Sequence, residues 1–334
     1  MAEKLKVSFK KDSHIWRLLI IMVVWFLFMA ITKGGKFYSL VNFQTMFSQF
    51  PEFGLMSLGV MVCMITGGID LSTVGIANMT AITVALLMRN AGSESGSLGP
   101  QWFLLVFVIA ILMGAVTGAF NGILVSKCKI PPILATLGTG QLFTGIGIVM
   151  TNGSAISDFP KDYAFLINNK VAGIPVQFIL FAIAAAVLVF LLKKTTYGKK
   201  ITLLGSSQNV ARYSGLKVDW ILIKTYLISG ICSALGGMIM LANYNSARSD
   251  YGSNYTLQCI LIVVLGGVDP DGGKESITGV LLAIFLVRAL ETGINRFPQI
   301  SSYYISLIWG AVLLLVMVLN YFSSHNIHLF KKKA

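Results

Sequence analysis

Charge is what this sequence has least of. Only 12% of its residues are Asp, Glu, Lys or Arg, where a soluble domain carries roughly twice that share. A water-facing surface around an ordinary core is therefore excluded. Acids are scarcer still, 13 against 26 Lys and Arg, but the formal charge of +13 does not point to nucleic acid. The basic residues gather in short hydrophilic segments, and no basic stripe with interleaved aromatics occurs. Histidine is almost missing; His325 and His328 stand three apart in the tail with nothing near them to complete a metal site. The four cysteines, Cys63, Cys128, Cys232 and Cys259, have no paired spacing, which argues against a disulfide framework or zinc motif. Three of them sit in apolar runs and read as small buried hydrophobes. A phosphate loop is also lacking. Around Gly272-Gly273-Lys274, Val268 stands where the first glycine is needed and Glu275 where Ser or Thr is needed. No bound cofactor is expected, and no His, Asp or Glu cluster lies at a depth usable by a membrane-embedded enzyme.

What the chain does have is hydrophobic length. Its apolar fraction is 55% and its mean hydropathy +0.78, distributed in runs of membrane-crossing size. After a basic start with Lys4, Lys6, Lys10, Lys11 and Arg17, an apolar run reaches Thr32 without a small-residue cleavage site, so it reads as a retained span. Further spans are expected near 53–66, 71–88, 102–125, 133–150, 176–192, 219–242, 257–268, 277–290 and 303–322. Those near 53–66 and 257–268 are the shortest. With ten spans both termini share a side, and placing them inside puts 17 Lys and Arg in inner segments against 7 in outer ones. That bias predicts cytoplasmic termini. The expectation is an all-α polytopic membrane protein of about ten transmembrane helices forming one domain over 1–334. Residues 1–16 and 323–334 are then cytoplasmic tails, and 193–218 a cytoplasmic loop.

Between the runs 53–66 and 71–88 lies Gly67-Gly68-Ile69-Asp70-Leu71-Ser72, with no true loop around it. Two glycines, an acid and a serine are a poor choice for a plain spanning helix. Such a break is tolerated where it lines a cavity or packs inside protein. The other reading is a tight surface connection, with Asp70 capping the next helix. Elsewhere, Gly114, Gly118 and Gly122 recur at steps of four, a stripe that lets two helix backbones approach closely. Lys127-Cys128-Lys129-Ile130-Pro131-Pro132 makes a basic turn whose prolines open the next helix. In the 193–218 loop, Ser207 to Tyr213 suits a short helix ended by Gly215. Thr151 to Pro175 is a long outer segment, either a docking surface or a solvated loop. Val264 to Ile277 repeats the opening theme as Gly266-Gly267-Val268-Asp269. Arg288 and Glu291, at i and i+3, are placed to pair.

The stretch Gly67 to Ser72 is similar to the signature of permease subunits of bacterial ABC sugar importers, the ribose, xylose, arabinose and galactoside group, which reads G-G-I-D-L-S-V-G. Here Ser72-Thr73-Val74-Gly75 places the last glycine one position late. Ile130 to Gly138, Gly205 to Leu216 and Val264 to Ile277 resemble three further motifs of that family, so the likeness runs from Asn42 to Tyr321. It implies two permease subunits, identical or paired, two cytoplasmic ATPases that bind the ATP, and an external solute-binding protein. It also implies that residues 205–216 form a coupling helix, carried by Gly205, Ala211, Arg212 and Gly215, with Ala211 expected to face the ATPase. Gln208 and Asn209 stand where the family usually has acids. Candidates for translocation or gating are Gly67, Gly68, Asp70, Ser72 and Asn78, and Gly114, Gly118 and Gly122 serve helix packing. Permeases for branched-chain amino acids or nucleosides share distant features, so another solute stays open, as does an ion-coupled transporter working alone. Without the resemblance, residues 205–216 read equally as an amphipathic helix resting on lipid.

Overall fold

The computed structural model describes residues 13–92, 100–160 and 162–297, with scattered positions from 299 to 318. The expected span near 303–322 lies largely outside the described residues, as do the two tails. Helices dominate: α1 (Ser13–Phe37), α2 (Leu40–Ile65), α3 (Thr73–Gly92), α4 (Pro100–Ser126), α5 (Pro132–Thr151), the short α6 (Asp162–Asn168), α7 (Val176–Lys194), α8 (Thr196–Ser206), α9 (Gln208–Tyr213), α10 (Val218–Tyr244), α11 (Tyr255–Leu265) and α12 (Ile277–Ile294). The only sheet among the described residues is a hairpin of β1 (Lys170–Val171) and β2 (Ile174–Pro175). Eight of these helices are long and apolar enough to cross a membrane.

Two boundaries differ from the sequence expectation. The span expected near 53–66 begins at Leu40, capped by Ser39, whose Oγ accepts from the Asn42 amide at 3.3 Å. Its first half carries Asn42, Gln44, Thr45, Ser48, Gln49, Pro51 and Glu52, a composition that reads as loop. Asn42, Pro51 and Glu52 are buried and Gln44, Ser48 and Gln49 half-buried, with Thr45 exposed, so hydropathy alone understates the helix. The segment expected at 257–268 is α11, with 11 residues and a length of roughly 16 Å. It is too short to cross a bilayer alone, and the irregular residues 245–254 precede it.

Burial and hydropathy run in opposite directions. In α2, 89% of the most apolar stretch is buried although its hydropathy is 1.3, whereas α1, α4 and α7, at 2.3 to 2.6, are only 11 to 28% buried. Lipid is as apolar as leucine, so the greasiest helices face outward and the centre goes to helices that pair polar and small groups. Accordingly Ile20, Val24, Leu27, Leu112, Val116 and Val187 are exposed on the rim. α10 occupies the middle, packed against α4, α2 and α3, with α5 outside α3, and α11 and α12 on the far side of α2.

The α4–α10 contact is a small-residue seam. A Cβ built at Gly118 would overlap the Tyr226 carbonyl oxygen and stand 2.9 Å from Leu227 Cα. At Gly122 it would stand 2.6 Å from Ile223 Cα, and at Gly114 2.5 Å from the Gly230 carbonyl oxygen. Backbone thus meets backbone along three turns. Gly118→Leu is expected to abolish the seam and sharply lower the yield of monodisperse protein in detergent, while Gly145→Leu, at a glycine with open space around it, leaves yield near wild type. Size-exclusion chromatography after membrane extraction checks both.

Candidate functional site

Residues 66–72 are a break inside the bundle, and its groups are satisfied by three other elements. α2 ends at Ile65, and Gly67 turns the chain back at φ +80°. The chain then runs non-helically until α3 starts at Thr73. Asp70 and Ser72 are both 0% exposed, which removes the reading of a surface connection. Asp70 nonetheless makes the capping-type bond that reading foresaw: its Oδ1 accepts from the Ser72 amide at 3.0 Å and from Ser72 Oγ at 2.6 Å. Ser229 of α10 donates to Asp70 Oδ2 at 2.7 Å. Asn121 of α4 donates to Ser72 Oγ at 2.7 Å, which leaves the hydroxyl proton for Asp70. Thr136 of α5 completes the set. Its Oγ1 accepts from the Leu71 amide at 3.1 Å and lies 3.0 Å from the Ile69 carbonyl oxygen. Within the segment Ile130 to Gly138, Thr136 therefore pairs backbone groups of the Gly67 to Ser72 segment.

The depth of Asp70 follows from its partner. Ser229 lies 11 residues into α10, roughly 16 Å from that helix's start, so Asp70 sits well inside the bundle. Asn78, two turns further along α3, is 1% exposed and reaches the other irregular segment. Its Nδ2 donates to the Ser249 and Tyr251 carbonyl oxygens at 2.9 and 2.8 Å. One amide thus ties α3 to the segment that leads into α11.

At the near end of α2 three separated segments meet. The Gly273 amide donates to the Ile65 carbonyl oxygen at 2.9 Å. A Cβ at Gly205, in α8, would overlap that same oxygen, and one at Gly272 would stand 2.6 Å from the Gly67 nitrogen. Gly272 and Gly273 have φ of +91° and +78°, which together with the lack of space leaves no room for a side chain. Beside this junction, α9 is capped at its start by Ser207, whose Oγ accepts from the Val210 amide at 3.4 Å. It ends where the Leu216 amide reaches the Ala211 carbonyl oxygen and Gly215 takes φ +76°.

One orientation needs correction. Ala211 was expected to face outward to a partner, but it is 0% exposed and belongs to the core. It is the small residue that seats α9 on α8 and α10, and the free face is made by Val210, Arg212 and Tyr213, the last 93% exposed. The segment 151–175 is likewise no plain loop. Tyr163 donates to the Met238 carbonyl oxygen at 2.8 Å and Asn168 to that of Ala242 at 2.8 Å, which pins α6 to α10. Sequence reasoning missed Ser229, Asn121 and Thr136, the partners of the break. The only signal for Ser229 and Asn121 was a lone polar residue inside an apolar run, and Thr136 was marked only as part of the Ile130 to Gly138 stretch. Among the described residues no group of three His, Cys, Asp or Glu side chains could hold a metal.

Comparison with known proteins adds to this geometry. The family described as "Branched-chain amino acid transport system / permease component" matches residues 42–317. The ribose import permease protein of Bacillus subtilis (strain 168) is 32% identical over 286 residues, 84% of this chain and 84% of its own length. The autoinducer 2 import system permease protein of Escherichia coli (strain K12) is 32% identical over 328 residues, 96% of this chain and 95% of its own.

The buried cluster predicts a graded response. Asp70→Leu removes every acceptor from the Ser72 amide and both serine hydroxyls, each unpaired donor costing about 1–3 kcal/mol. Asp70→Asn keeps one carbonyl acceptor. Thermal unfolding in detergent is expected to fall in the order wild type, Asp70→Asn, Asp70→Leu; equal melting of the two variants would count against the hydrogen-bond account.

Proposed function

The chain belongs to the branched-chain amino acid transport system permease family, and from that membership we propose that it is the membrane-spanning subunit of an ATP-driven importer. It works as one multi-pass domain in a bacterial cell membrane with cytoplasmic termini. A second permease subunit pairs with it, cytoplasmic ABC ATPases bind and hydrolyse the nucleotide, and an external binding protein delivers a monosaccharide or related small solute. The import functions in its relatives' names, ribose for one and autoinducer 2 for the other, support a small polar solute over a branched-chain amino acid.

The observation that carries the reading is the junction of Ile65, Gly205 and Gly273. α9 presents an exposed face of Val210, Arg212 and Tyr213 on one side. Through α8 it leans directly on the end of α2 and on the Gly67 break. A force applied to α9 by an ATPase therefore passes through backbone packed on backbone, with no flexible side chain between, to the segment that holds Asp70. Rigid contacts of this kind move helices as bodies. Residues 205–216 are thus not one helix: Gly205 lies in α8 and seats it on the end of α2, while Gly215 ends α9, Ala211 seats it and Arg212 stands on its docking face. Gly67, Gly68, Asp70, Ser72 and Asn78 belong to the gated segment, where they hold the break rather than carry a proton.

Two measurements test this. In proteoliposomes, solute uptake is expected only with the ATPase, the binding protein and ATP together; uptake by the chain alone, driven by an ion gradient, would replace the proposal with a secondary transporter. Tyr213→Ala combined with Val210→Asp is expected to lower co-purification of the ATPase by about tenfold or more, as loss of an exposed anchor does at an interface, while leaving the chain folded. Wild-type co-purification with wild-type stimulated ATP hydrolysis would remove α9 from the coupling path.

A further inference from the structure

At the opposite end of α2 from the junction lies a polar cavity of about 470 Å³, within the range of small-molecule sites. Gln44, Ser48 and Glu52 line it from successive turns of α2. Facing them are Asn243 and Tyr244 at the end of α10, Tyr255 at the start of α11, Gln177 of α7, and Arg288 with Glu291 of α12. Glu52 stands roughly 20 Å up the helix from Ile65, so the cavity reaches from the far end of the bundle to about its middle. Its mouth is at Gln44 and Lys170, whose side chains meet at 2.6 Å. Beyond Glu52 the wall closes on Phe53, which is 0% exposed and packs on the Tyr255 ring.

The chemistry of the wall is selective. Its one buried cation is already matched: Arg288 Nη1 meets Glu291 Oε2 at 2.8 Å and its other arm meets Gln49. Glu52, 4% exposed, accepts from the Tyr255 phenol at 2.5 Å and from Asn243 Nδ2 at 2.9 Å. An anionic solute finds no free cation deep in the cavity, because Arg288 is held by Glu291. A branched aliphatic side chain finds no apolar wall either, because the lining aliphatic residues are only Val41 and Pro175. What the wall offers is amides, hydroxyls and carboxylate oxygens, together with the rings of Tyr244 and Tyr255. Two buried polar atoms there, Gln177 Oε1 and Arg288 Nε, have no partner. Hydroxyl groups donate and accept at once, and the carbon faces of a sugar ring suit an aromatic surface.

We propose that this cavity is a solute subsite contained in a single chain, taking one neutral polyhydroxylated molecule of pentose or hexose size from the side opposite α9. The inference rests on the import reading for the source of the solute, but not for the chemistry of the site.

The test is equilibrium binding to the purified full chain in lipid nanodiscs, with D-ribose, D-galactose and ribitol as probes and L-leucine as the comparison. Saturable binding of at least one polyol and none of leucine is expected. Tyr255→Phe, which keeps the ring and deletes the hydroxyl that lines the cavity and donates to Glu52, is expected to weaken that binding by about tenfold, the worth of one hydrogen bond. Ser48→Trp is expected to abolish it by filling the cavity, and if that variant fails to fold, Tyr255→Phe alone decides. Absence of polyol binding to the wild type, saturable leucine binding, or unchanged polyol affinity in Tyr255→Phe overturns the proposal. The import reading fails separately. Polyol binding without ATP-driven uptake in the reconstituted importer would leave the subsite and remove the importer, and uptake with no polyol binding would do the reverse.

Discussion

A backbone segment that leaves the helix inside a membrane must have every amide and carbonyl paired by something else. That constraint governs residues 66–72 and, through them, the middle of the molecule. Thr136 answers for Leu71 and Ile69, Ser229 and Ser72 for Asp70, and Asn121 for Ser72. The answering groups come from α5, α10 and α4, so three helices are held in register by one short irregular stretch. The glycine seam of α4 on α10 is a condition for this. Only with backbones in contact at Gly114 and Gly118 do Asn121 and Ser229 come close enough to share the cluster.

The irregular segments enter from opposite ends. Residues 66–72 rise from the junction end and 245–254 descend from the other, and Asn78 bonds the backbone of the second from the helix that follows the first. Irregular backbone at membrane depth is tolerated where protein packs around it, and such places are where helices can move against one another. Between the two segments α2 runs the full length, touching the junction with its last residue and lining the polar cavity with its first half.

Much of this was legible in the chain, and the rest was hidden for identifiable reasons. The glycines, Asp70 and Ser72 announced a break, because nothing in a plain spanning helix calls for them. The Ser207 start and Gly215 end of α9 were also legible, since capping is a local matter of side chain and backbone. What could not be read was direction and distance. Ala211 is small, and a small residue in a short helix serves a seat as well as a docking face; only the burial of its side chain distinguishes them. The start of α2 at Leu40 was missed because its polar face turns inward to Asn243 and Tyr255, residues some two hundred positions away. Ser229 and Thr136 were missed for the same cause: hydroxyls are common in spans, and pairing across 159 and 67 residues leaves no mark on local sequence.

The inverse relation between hydropathy and burial has a consequence for how the chain is made. α2 emerges early in synthesis, yet it is among the least apolar of the long helices and carries Glu52, so by itself it partitions into lipid weakly. The groups that make it acceptable there, Asn243 and Tyr255 around Glu52, are translated about 190 residues later, ten or more seconds at bacterial speeds. Until α10 and α11 arrive, Glu52 of α2 lacks the partners it has in the finished fold. The greasier α1, α4 and α7 need no such partners, so it is the polar pairing at the centre that has to wait for the later helices.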